Sequence, residues 1–178
     1  NTQTEINPLK DKEILDVELI LKDLETVEKR LGSIKPAFAK SFGEAKEMEV
    51  LKKVQNFLQQ QKILVDQNFT EDETTILKNF QLLTFKPRLY LLNGKTEEVS
   101  PEILSGFKNY VILDVAGEYE SEGLNKEERV GLGFTELSGT DILIKKSYEL
   151  LDLITFLTTG EDETRAWTIK KGDKAPKA

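Results

Sequence analysis

A chain of 178 residues with 38% hydrophobic and 32% charged content suits one medium domain or two small ones, with long solvated helices beside a modest core. The formal net charge of -7 weighs against nonspecific nucleic-acid binding, and no sequence-specific DNA reader is expected. The absence of Cys and His excludes disulfides, thiolate chemistry, a Ser-His-Asp arrangement and most zinc sites. No apolar run approaches membrane-spanning length and no signal peptide is visible, so a soluble, cytoplasmic protein without a membrane partner is expected. Charge is unevenly spread. Residues 9–62 hold 11 Lys/Arg against 10 Asp/Glu, and the rest hold 14 against 22, which assigns any phosphate-backbone contact to the first third.

In chain order, PLKDKEILDVELILKDLETVEKRLG (8–32) predicts a helix between Pro8 and Gly32. Val17, Ile20, Leu24, Val27 and Leu31 recur at steps of three and four, a narrow coiled-coil seam. SIKPAFAKSFG (33–43) is a connector, broken by Pro36 and Gly43. GEAKEMEVLKKVQNFLQQQK (43–62) predicts a second helix with Val50, Leu51, Val54, Phe57 and Leu58 on one stripe; two helices so linked should pack antiparallel. Thr70 and Glu73 have capping-box spacing and start a third helix.

The period then changes. PRLYLL (87–92) and NYVILDV (109–115) are short and continuously apolar, as strands covered on both faces are. Ser100 and Pro101 open a helical turn between them, which makes a βαβ unit with parallel strands. Asn125 and Glu128 mark a short helix, and SGTDILIKKSYELLD (138–152) a longer amphipathic one. LITFLTTG and TRAWTIKKG flank an acidic turn and predict a β-hairpin. Two central strands cannot form an independently stable sheet, so another segment or chain is expected to complete the layer.

Three blocks carry a resemblance. NPLKDKEILDVELILKDLETVEKRL, LLTFKPRLYLLN and ELLDLITFLTTGEDETRAWTIKKGDKAP occur in the order seen in the YchF / Obg-like ATPases and are similar to that family over nearly the whole chain. The resemblance implies an α+β / α/β fold: an antiparallel helical, coiled-coil hairpin inserted in a partial P-loop-type G domain, followed by the first β-hairpin of a TGS-like domain. It places the end of one G-domain segment at 1–8, the helical insertion at 9–69, the C-terminal part of the G domain at 70–151 and the start of the TGS-like domain at 152–178. It implies a P-loop nucleotide hydrolase associated with ribosomes, using ATP or GTP with Mg²⁺.

The departures are specific. The sequence has no G-x-x-x-x-G-K-[ST], hence no phosphate cradle and no hydroxyl for Mg²⁺. The family's phosphate loop precedes the first block and most of its TGS domain follows the last, so the chain is expected to be cut from a larger protein and, alone, to hydrolyse neither nucleotide nor hold one tightly. The expected role is the helical arm and base-side wall of the enzyme. The alternative is a non-enzymatic helical-hairpin module that docks on a ribosome or a protein partner.

Candidate nucleotide-binding residues follow from the resemblance. Asn93 takes the place of the Asn that braces the base loop, and Thr96 the place of an acidic, base-discriminating residue, with Glu97 and Glu98 one and two positions late. A Thr cannot supply a bidentate carboxylate. Asp114-Val115-Ala116 matches the second base-reading segment, whose Ser and Lys are absent here; the backbone N–H groups of Val115 and Ala116 remain available to a base. Beside this stands a plainer reading, in which Asn93-Gly94 is turn chemistry after a strand and Asp114 begins a loop. Trp167 reads as a core or interface anchor, and Lys170, Lys171 and Lys174 as a charged strand edge. The contiguous acids 71–73 and 161–163 suit helix starts and turns, and no metal site is expected.

Overall fold

The computed structural model describes residues 6–34 and 42–174. Most of the expected connector and the last four residues lie outside them. The chain divides into two compact units, residues 1–87 and 88–178.

The first unit is helical. Helix α1 spans Pro8–Ser33; the Asn7 side-chain oxygen accepts from the Lys10 N–H at 3.1 Å, and Pro8 occupies the first turn, where no N–H is needed. Helix α2 spans Phe42–Gln59. Ile20 and Val27 of α1 join Val50, Leu51, Val54 and Leu58 of α2 in one buried cluster. Arg30 pairs with Glu47 and Gln55 donates to Glu28, so α1 reads backward as α2 reads forward: the two run antiparallel. The seam expected from Val17 begins only at Ile20, for Val17 is exposed.

Helix α3, Glu71–Lys78, starts at the capping box read from Thr70 and Glu73. Leu77 and Leu82 extend the helical core, and Phe57, Phe69 and Phe85 meet edge to face at 5.9 and 5.6 Å. Residues 70–87 thus pack with the helical pair. The tie is a carboxylate. Asp23, 2% exposed, accepts hydrogen bonds from Leu83 N at 2.8 Å, Thr84 N at 2.7 Å and Thr84 Oγ1 at 2.7 Å.

The second unit holds both sheets. Strands β1 (Tyr90–Asn93) and β2 (Tyr110–Leu113) pair in parallel, Tyr90 opposite Tyr110 and Asn93 opposite Leu113. Helix α4, Pro101–Ser105, lies between them in sequence and starts at Ser100 and Pro101 as expected. The strands are shorter than predicted. Asp114 leaves β2 to cap helix α5, Val115–Glu120, which apolar continuity through Val115 had concealed. Leu91 is exposed, so β1 is not covered on both faces within its unit. Helices α6 (Lys126–Gly131) and α7 (Gly139–Leu150) follow, each opened by a capping box. Strands β3 (Leu153–Thr159) and β4 (Thr164–Lys170) form the expected antiparallel hairpin. Phe156 sits opposite Trp167, and the Trp167 indole N–H donates to Thr158 Oγ1 at 2.8 Å. Among the described residues, no helix is long and apolar enough to cross a membrane.

Candidate functional site

Parallel pairing brings the C-terminal ends of β1 and β2 together, and with them Asn93 and Asp114-Val115-Ala116. The ladder register is carried one residue beyond Asn93, where Gly94 N donates to Leu113 O at 3.1 Å. The Asn93 side chain then crosses between the strands: its Oδ1 accepts from the Val115 N–H at 3.1 Å. A neutral amide oxygen is thereby spent on the first backbone donor of α5. Two of the candidate segments, 22 residues apart in sequence, are joined by this one bond.

Thr96 is not drawn into this arrangement. It begins a single 3₁₀ turn, Thr96–Glu98, and is exposed. The acid at 98 turns back on its own loop, Glu98 Oε2 accepting from Lys95 N at 3.1 Å, and Glu97 is exposed. Val115 and Ala116 face solvent, Val115 at 46% exposure, while the Val115 N–H is already engaged by Asn93. The Asp114 carboxylate accepts from Gly117 N at 3.0 Å, closing the first turn of α5. A side chain at Gly117 would press on that carboxylate, its Cβ lying 2.9 Å from Asp114 Oδ2 and 3.1 Å from Phe134 Cε1.

Behind α5 lies a charged cluster that sequence reading did not single out as functional. Arg129 is 5% exposed. One of its terminal nitrogens reaches both Glu118 oxygens, at 2.9 and 3.1 Å, and the other donates to Ser121 Oγ at 2.6 Å. Its Nε donates to the Thr135 carbonyl at 3.2 Å, and the guanidinium lies 5.4 Å from the Phe134 ring centre. Glu118 Oε2 in turn accepts from Gly139 N at 2.7 Å, at the start of α7. A recess of about 480 Å³ opens beside α5, lined by Leu113, Val115, Tyr119, Leu124, Arg129 and Ser138 among others; neither Asn93 nor Thr96 lines it. A signal that could have found α5 is Asp114 three residues before Gly117, the spacing of an Asx cap, and the Asn125/Glu128 box marks the helix that carries Arg129. Nothing marks Arg129 as buried, since its partners come from α5 and from the loop before α7. Among the described residues no group of His, Cys, Asp and Glu is placed to hold a metal ion.

Comparison with known proteins shows what the chain is similar to. The family model described as "YchF-GTPase_C: Protein of unknown function (DUF933)" matches residues 153–178. The Ribosome-binding ATPase YchF of Bacillus subtilis is 39% identical over 188 residues, covering 96% of this chain and 51% of that protein. Obg-like ATPase 1 of Caenorhabditis elegans is 29% identical, covering 100% and 49%. The structure of the Schizosaccharomyces pombe YchF GTPase superposes with a TM-score of 0.81 at 27% identity, over 99% of this chain and 53% of that one. The chain therefore spans about half the length of the curated relatives it matches.

Proposed function

The chain belongs to the YchF / Obg-like ATPase family, and on that premise we propose that it supplies the base-side wall and the helical arm of a nucleotide hydrolase. The observation that carries the reading is the Asn93 Oδ1 to Val115 N bond, which fixes the loop after β1 against the start of α5. A purine would lie against Val115 and Ala116, with selection left to main-chain groups, since Thr96 supplies no carboxylate and Glu98 is turned onto Lys95. The triphosphate and Mg²⁺ need a glycine-rich loop with its Lys and Ser/Thr, a motif this sequence does not contain. Positioning of the base is this chain's share, and phosphoryl transfer to water falls to residues that it lacks.

The test is a two-dimensional amide NMR titration of the 178-residue chain with ATP and GTP at millimolar concentration. Shifts confined to residues 93–96 and 114–117, abolished in Asn93→Ala, are expected, with no Mg²⁺-dependent turnover. Absence of those shifts, or turnover by the chain alone, overturns the reading.

The helical unit is assigned the partner-facing role, as an arm within or instead of the enzyme, in a cytoplasmic protein. The near-neutral balance of residues 9–62 and the ribosome-binding activity in the names of several relatives support a ribosomal partner. Lys52 is the residue to reverse: it is exposed, whereas Lys53 is held by Glu73 at 2.8 Å, so reversing it would also break an ion pair. Ribosome co-sedimentation that weakens in Lys52→Glu and falls with salt supports the arm; unchanged binding refutes it.

A further inference from the structure

Helix α5 has only six residues, too few to hold a position by helical hydrogen bonding alone. Its place is set by tethers. At the front, Asn93 holds Val115 N and Asp114 caps Gly117. At the back, Glu118 and Ser121 are gripped by the single guanidinium of Arg129, and Glu118 also accepts from Gly139 N. Arg129 further reaches the carbonyls of Thr135 and Leu137, at 3.2 and 3.4 Å, so it ties α5 to the whole loop that leads into α7. These bonds point inward and the residue is 5% exposed, so its donors are occupied within the protein.

We infer that Arg129, through Glu118, is the positioning residue of the base wall: it sets how the backbone of Val115 and Ala116 is presented. The inference rests on the base-wall reading for its functional meaning, but the positioning itself is measurable without nucleotide. A planar guanidinium serves four partners here, and an ammonium at the end of a Lys side chain cannot reproduce that fork. Arg129→Lys keeps the charge and loses the geometry.

The experiment is residue-resolved hydrogen exchange on the full chain, for wild type, Arg129→Lys and Glu118→Gln, followed by the same ATP titration. In Arg129→Lys, exchange at Val115 and Gly117, whose N–H groups are held by Asn93 and Asp114, should accelerate about tenfold or more, the equivalent of losing one charge-assisted hydrogen bond. The β1–β2 ladder amides should keep their protection. Glu118→Gln, which keeps an acceptor for Gly139 N, should show a smaller acceleration at the same residues. Unchanged exchange at Val115 and Gly117 in Arg129→Lys overturns the inference. If that variant unfolds as a whole, Glu118→Gln decides: selective acceleration upholds the inference, and none overturns it. Nucleotide shifts absent from the wild type refute the base wall while leaving the exchange result standing. Nucleotide shifts present in the wild type and weakened about tenfold in a folded Arg129→Lys establish both.

Discussion

Removing the Asp23 carboxylate should be among the most costly single changes in the helical unit. The carboxylate accepts three hydrogen bonds at 2.7–2.8 Å, two of them from Thr84, which is fully buried. In Asp23→Ala the exposed end of the cluster at Leu83 can turn to water, but the Thr84 N–H and hydroxyl are stranded. A buried donor left unsatisfied costs about 1–3 kcal/mol, more when its partner was charged, so the loss should be about 3–5 kcal/mol. Thr84→Val removes only the hydroxyl bond at nearly constant volume and should cost about 1–2 kcal/mol. Because the two side chains share one bond, the double variant should be less destabilised than the singles added together. Urea titration followed by far-UV ellipticity reads all four proteins. A loss below about 1 kcal/mol in Asp23→Ala, or strict additivity, would refute the idea that a buried carboxylate secures residues 83–84 to α1.

Other outcomes follow from the same geometry. The Glu73 carboxyl is held below its ordinary 4.5, first by the hydrogen bond from Lys53 and then by the Thr70 backbone N–H. A depressed carboxyl adds stability above pH 4.5 that disappears as pH falls through the folded-state value, so Glu73→Gln should shrink the stability difference between neutral and acid solution, measured by urea midpoints at each pH. Gly139→Ala should destabilise by about 1–3 kcal/mol, because its Cβ would overlap Leu113 and sit 2.9 Å from Glu118 Cγ. Gly32→Ala, with nothing within 4 Å of its Cβ and a helical backbone, should instead stabilise α1 by about 0.5–1 kcal/mol; thermal midpoints separate the two signs. Leu51→Ala, at a fully buried site, should cost about 2–5 kcal/mol, whereas Leu21→Ala, at a site 56% exposed, should be nearly silent in the same melts.

Elements governed by local rules were legible. Thr70/Glu73, Asn125/Glu128 and Ser100-Pro101 each start a helix where cap chemistry put it, since a cap and its N–H partner lie within one turn. The hairpin from Leu153 to Lys170 and the parallel pairing of β1 with β2 were equally readable from pattern. What failed to show was set by partners far along the chain. Asp23 sits on a helix rich in acids, and only residues 83 and 84, 60 and 61 positions away, make it a buried acceptor rather than a surface charge. Val17 fits the seam by spacing, yet what decides its burial is where α2 packs. At the candidate site, Asn93 and Val115 were identified by family resemblance and are joined by a hydrogen bond. Thr96, identified the same way, points to solvent. Arg129 and Glu118 are ordinary surface residues by type, and their pairing depends on loop geometry that no short motif encodes.

The Asp23–Thr84 tie also bears on how the helical unit assembles. Turns of α1, α2 and α3 close over a few residues, whereas joining positions 23 and 84 closes a loop of 61, and the entropy of closure grows with the logarithm of that span. So distant a contact is expected to form after the barrier, once α1 and α2 have already condensed. Its strength would then appear almost entirely in the rate of opening: chevron plots of Asp23→Ala should show a steeply raised unfolding limb over a nearly unmoved refolding limb. In that case the carboxylate acts as a brake on opening, and the lifetime of the helical unit, more than its speed of formation, is what natural selection can adjust at position 23.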